Sequence, residues 1–102
     1  MGVQTTEARF GVVTASLTPA QVAATTTAEQ TFTVPGVVVG DIIVPQIPAV
    51  TANVGIVNAR VSAANTVALT YVNANASPTT PAAGSYKFLV FRPEYTQTAF
   101  NV

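Results

Sequence analysis

Between residues 53 and 73 the chain reads NVGIVNARVSAANTVALTYVN, and its apolar and polar positions alternate as they do on pleated strands. Two runs rich in β-branched residues, 54–61 and 66–73, flank the small polar segment Ser62-Ala63-Ala64-Asn65, the pattern of an antiparallel hairpin. In the second run Val67, Leu69 and Tyr71 share a fully apolar face, while Thr66, Ala68, Thr70 and Val72 share a smaller, half-polar one. The first run breaks step where Ile56 and Val57 stand side by side after Gly55, which predicts a bulge or a close backbone approach there.

The same period marks the other elements. Residues 11–17 (GVVTASL) predict a first strand closed by Thr18-Pro19, and residues 18–24 fit a single helical turn with Thr18 as N-cap. From Thr25, TTTAEQTFTV sets Phe32 and Val34 against Thr31 and Thr33 until Pro35-Gly36 imposes a turn. Gly40-Asp41 makes a second turn, and the strand that follows is confined by Pro45 and Pro48 to a sheet edge or to irregular extended structure. Residues 45–53 are unusually apolar for a solvated loop and suit a contact surface. Residues 74–83 carry two prolines that prevent both helix and central strand. In the last run Tyr86, Phe88 and Val90 alternate with Lys87, Leu89 and Phe91, so both faces carry apolar groups, as on a strand covered from two sides.

Six or seven short strands separated by Pro/Gly turns predict an all-β domain, an antiparallel β-sandwich of jelly-roll or immunoglobulin-like kind, over residues 11–93. Residues 1–10 read as an N-terminal arm ending in Phe10. Residues 94–102 read as a C-terminal arm whose Tyr95 and Phe100 suit docking better than a loose tail.

Composition sharpens this reading. Ala, Val and Thr make up about half of the chain, and branched side chains favour strands. Charged residues are only 8%, far below the ~25–35% that keeps the surfaces of small monomers apart. Much of the surface is therefore expected to be covered, the alternative being a Thr-coated monomer. Net charge is zero, and Arg9, Arg60, Lys87 and Arg92 are scattered, which disfavours phosphate neutralisation and thus nucleic-acid binding. The most apolar run, 34–47, is cut by proline, glycine and aspartate, so no membrane helix is predicted. No signal peptide is visible in the first ten residues, and the opening MGVQTT matches the myristoylation pattern only formally, without a polybasic companion.

Candidate chemistry is sparse. The chain has neither His nor Cys, so the commonest acid-base group and the strongest nucleophile are missing. Its carboxylates, Glu7, Glu29, Asp41 and Glu94, form no calcium-loop pattern, and Asp41 is placed to cap its turn. No glycine-rich phosphate loop is present. These absences predict a non-enzyme with no cofactor and no metal. Arg60 and Arg92 lie inside strong strands and read either as exposed or snorkelling charges or as interface anchors. The candidate contact residues are thus Phe10, Arg60, Arg92, Tyr95 and Phe100.

The segments TASLTPAQVAATTTAEQTFTVPG, GIVNARVSAANTVALTYVN and PAAGSYKFLVFRP together resemble small β-sandwich virion proteins of tailed bacteriophages that decorate or cement the capsid. The resemblance spans most of residues 14–93 and lies in the rhythm of turns and strands, so it transfers no set of functional residues. It implies a structural protein on the capsid surface whose partners are the major capsid protein and further copies of itself, often as a homotrimer, with no nucleic acid and no membrane. A second class stays open: a receptor- or glycan-binding module of a head or tail fibre, using Tyr71, Tyr86 or Tyr95 beside polar groups. A tail or neck component is a third.

Overall fold

Two three-stranded antiparallel sheets make up the computed structural model, which describes residues 8–93. The strands are β1 (Ala8–Leu17), β2 (Thr26–Thr33), β3 (Ile42–Gln46), β4 (Val54–Ala63), β5 (Thr66–Asn73) and β6 (Gly84–Pro93). The first sheet has the order β1-β6-β3 and the second β2-β5-β4, so β6 and β5 are the central strands. Their inward faces enclose the core expected of an all-β sandwich. Tyr86, Phe88 and Val90 come from β6, Val67, Leu69 and Tyr71 from β5, and Leu17, Ile43 and Val61 from their neighbours.

The β4–β5 hairpin is the one predicted from alternation, and its first strand contains the expected irregularity. Register slips between Ile56, opposite Tyr71, and Asn58, opposite Thr70, leaving Val57 as the extra residue. A bulge inverts the parity of the strand beyond it. Val54 and Ile56 pack on the core before it, Ala59 and Val61 after it, and Asn58 and Arg60 are turned outward. Without that extra residue Arg60 would face the core. The hairpin turn closes on Asn65, whose positive φ of 60° is a conformation that asparagine tolerates. Asn65 also holds the Pro35-Gly36 turn: its side-chain oxygen accepts from Gly36 N–H at 2.8 Å, and its own N–H donates to Val37 O at 2.8 Å.

One polar contact joins the sheets through the core. Tyr71 Oη donates to Tyr86 Oη at 3.0 Å, and Tyr86 Oη donates to Ala82 O at 2.7 Å. Burial, with the neighbouring Tyr86 hydroxyl, pushes the Tyr71 phenol far above its ordinary range, so it stays neutral. A second polar hub is Asn73, fully buried at the end of β5. Its amide nitrogen lies within 3.1 to 3.2 Å of Val22 O, Ala23 O and Ser77 O, and its oxygen accepts from Asn75 N–H.

Two expectations are corrected. Residues 18–24 form no helical turn. Val22 is buried, and its N–H and C=O both pair with Thr79, which an isolated turn cannot match because it satisfies few of its own backbone groups. The first strand begins at Ala8 rather than Gly11, so Arg9 and Phe10 belong to the sheet and not to an arm. Pairing with the ten-residue β6 extends it, since every added rung satisfies backbone groups on both strands. The expected C-terminal arm, with Tyr95 and Phe100, lies outside the described residues.

Replacing Leu69, fully buried at the centre of the second sheet, with Ala should lower unfolding free energy by about 2–5 kcal/mol, read from the urea midpoint. A loss under about 0.5 kcal/mol would mean that the hairpin faces are assigned the wrong way round.

Candidate interaction surface

Because β6 pairs with β1 on one side and β3 on the other, its residues define rows across the first sheet. Phe91 stands opposite Phe10 and Ile42, and Leu89 opposite Val12 and Val44. All six side chains point away from the core, and each is between 40% and 75% exposed. The Phe10 and Phe91 rings stack with centroids 6.2 Å apart and planes 4° from parallel. The next row, Thr14, Lys87 and Gln46, is polar. The outer face is therefore an apolar field two rows deep and three strands wide, with a polar margin. Val38 and Val39, both exposed, add apolar surface in the loop just before β3.

The loop carrying those valines is held by Arg92 and Asp41. Arg92 Nε and Nη2 donate to the two Asp41 carboxylate oxygens at 2.8 and 2.9 Å, and Nη2 also donates to Gly36 O at 2.8 Å. The Asp41 carboxylate, itself shielded from solvent, accepts the Val38 N–H at 3.0 Å. The turn-capping role expected of Asp41 is thus present, with a cation added from a strand 51 residues away. The Arg92 hydrogen bonds hold the Asp41 carboxyl below its ordinary value, helped by the Val38 N–H and the Arg92 charge and opposed by desolvation.

The second sheet presents a different outer face. Thr27, Glu29, Thr31 and Thr33 of β2 lie beside Thr66, Ala68, Thr70 and Val72 of β5. Arg60 on β4 reaches across β5 to Glu29 on β2 with two hydrogen bonds of 2.9 Å. Ala68, although on this outer face, is almost wholly buried in the row between Arg60 and Thr31. Hydrogen bonding from Arg60 holds the Glu29 carboxyl below its ordinary value. Among the described residues, one face of the sandwich is thus apolar and uncovered, and the other is short, polar and bridged by its own ion pair.

Between the edge strands β3 and β4 runs an open groove of about 480 Å³ lined by Ile43, Val44, Pro45, Ile56, Val57 and Asn58. Both edges are blunted against strand addition: Pro45 has no N–H to offer, and the bulge at Val57 interrupts the ladder. Strand addition is therefore disfavoured along the groove; β1 and β2 are the other edge strands of the two sheets.

Of the residues singled out in sequence, Phe10 sits at the corner of the apolar field, while Arg60 and Arg92 are each engaged by a carboxylate of this chain. Tyr95 and Phe100 lie outside the described residues. Sequence reasoning passed over Val12, Ile42, Val44, Leu89 and Phe91 as surface residues; the signal was present in the two apolar faces of β6. Tyr71 and Tyr86, the described candidates for stacking on a sugar, are each 1% exposed and hydrogen-bonded to one another. Among the described residues no three carboxylate, histidine or cysteine side chains gather as a metal would require. Comparison with family models, with curated proteins and with solved structures returns no match to this chain.

A depressed carboxyl pKa stabilises the fold above its unfolded value and loses that contribution as pH falls through the folded one. Stability should accordingly decline below about pH 5, as the unfolded chain takes up protons at Asp41 and Glu29 before the folded chain does. The decline, followed by urea midpoints, should be shallower in Asp41→Asn, which should also cost about 1–3 kcal/mol at neutral pH.

Proposed function

We propose that this chain is a structural virion protein of a tailed bacteriophage, a capsid decoration or cement protein that stabilises the shell by adhesion rather than by chemistry. The observation that carries the reading is the exposed apolar field of Phe10, Val12, Ile42, Val44, Leu89 and Phe91 on a chain with only 8% charged residues. A contiguous patch of this kind on a small domain marks a surface that another macromolecule covers. The sequence resemblance described above supplies the setting, since such proteins act through shape and copy number. Symmetry then repeats the contact, so that many copies act together on one shell.

The internal pairing of charge fits the same role. Arg60 with Glu29 and Arg92 with Asp41 keep four of the eight charged side chains occupied within the chain, so docking need not desolvate them unpaired. The major capsid protein is the proposed partner on the shell. Glycan recognition is less well supported, because Tyr71 and Tyr86 are spent on the core.

Purified protein mixed with undecorated capsids should co-sediment at a copy number proportional to the capsomers and raise the temperature at which the shell opens. Absence of co-sedimentation at concentrations of about 10 µM would refute the proposal, because an interface of standard size binds well below that.

A further inference from the structure

Each of the two sheets has two edge strands, and three of these four are guarded against a further strand. Pro45 and the Val57 bulge interrupt β3 and β4. β2 carries the charge of Glu29, and its Gln30 side chain clasps the Ala20 N–H and C=O at 2.8 and 2.9 Å, which brings the preceding loop against it. β1 has none of these devices. Its residues 10–17 include no proline and no charge, and its register with β6 runs unbroken over ten pairs. Among the described residues the backbone of 10–17 bonds only to β6, so every second residue directs an unmatched N–H and C=O to the open side.

Along that edge Arg9, Gly11, Val13, Val90 and Arg92 line a cleft of about 200 Å³. These five positions alternate with Phe10, Val12, Leu89 and Phe91, so they face away from the apolar field. Gly11 opens the cleft: a Cβ built there meets no atom within 4 Å. We infer that the outer edge of β1 takes up an extended, uncharged segment of the shell protein as a fourth strand, with one apolar side chain of that segment seated over Gly11. An extended backbone is what matches the donors and acceptors of a free strand edge, and a pocket beside the edge then selects the side chain that comes with it. Val13 and Val90 give this pocket apolar walls. Phe10 and Val12 border the same edge, so the outward side chains of the added strand continue the two apolar rows from three strands to four. A second copy of β1 fits less well. In an antiparallel pair of such edges a two-fold axis at Gly11 sets glycine against glycine and leaves the cleft empty, while an axis at Val12 or Val13 sets Phe10 against Thr14 or Ser16.

The inference rests on the capsid-decoration reading and specifies how the shell partner is held. Gly11→Leu fills the cleft from a position that faces away from the field, and the open space at its Cβ lets the fold accept it, so the urea midpoint should not fall. Its affinity for undecorated capsids should drop about tenfold or more, whereas Thr27→Leu, which adds the same side chain to the outer face of the second sheet, should bind as the unmodified protein does. Amide exchange of the unmodified protein, free and on capsids, is the second measurement and decides the matter should the variant prove unstable. Strand addition should slow exchange at alternate residues of 10–17, those whose N–H points away from β6. Capsid binding indifferent to Gly11→Leu in a folded variant, or exchange in 10–17 that slows uniformly or not at all, would overturn the inference and leave decoration standing. A dimer of the free protein that Gly11→Leu disperses would assign the edge to a second copy and overturn it likewise. Unmodified protein that fails to bind capsids at all would refute decoration, and this inference with it.

Discussion

The alternation of side chains along β6 is the constraint from which both the interior and the outer surface follow. As the middle strand of its sheet, β6 fixes the register of β1 and β3 at once. Tyr86, Phe88 and Val90 are directed into the sandwich, and Lys87, Leu89 and Phe91 are therefore directed out. A strand of this composition cannot bury both sets inside a two-layer chain. The interior is satisfied first, through Tyr71, Leu69 and the Tyr71–Tyr86 hydrogen bond, and the second apolar set is left at the surface.

The charged residues support this division of labour. Both described ion pairs join segments distant in sequence, Glu29 with Arg60 and Asp41 with Arg92. The first straps the polar face across its central strand. The second fixes the loop that carries the exposed Val38 and Val39. The exposed Arg60–Glu29 pair adds little stability on its own, whereas the Asp41 carboxylate is shielded from solvent and depends on Arg92. The effect the two pairs share is positional, for each guanidinium donates two hydrogen bonds to its carboxylate and cannot wander over the neighbouring surface.

Local pattern carried much of the fold. The alternation in residues 66–73, the paired Ile56-Val57 and the placement of Pro45 were enough to foresee the hairpin, its bulge and the edge strand. Where a local rule competed with a distant partner, the distant partner prevailed: Thr18-Pro19 resembles a helix start, yet Val22 is drawn into pairing with Thr79 and its carbonyl is held by Asn73. The extension of β1 to Phe10 likewise depends on β6, at the far end of the chain. The candidate surface was half legible. Two apolar faces on β6 announced a covered strand, but the rows that join Leu89 and Phe91 to β1 and β3 exist only once the sheet is assembled.

The bulge at Val57 and the proline at position 45 bear on which associations so weakly charged a chain leaves open. Proteins usually keep apart through mutual repulsion, which this one with its balanced charges does not possess. On the side where β3 and β4 border the groove, the ladder ends in a kink and a missing donor, so an incoming strand finds no continuous template and runaway fibril growth has no place to start there. Protection of that flank is thus a matter of backbone geometry, which salt and pH leave untouched.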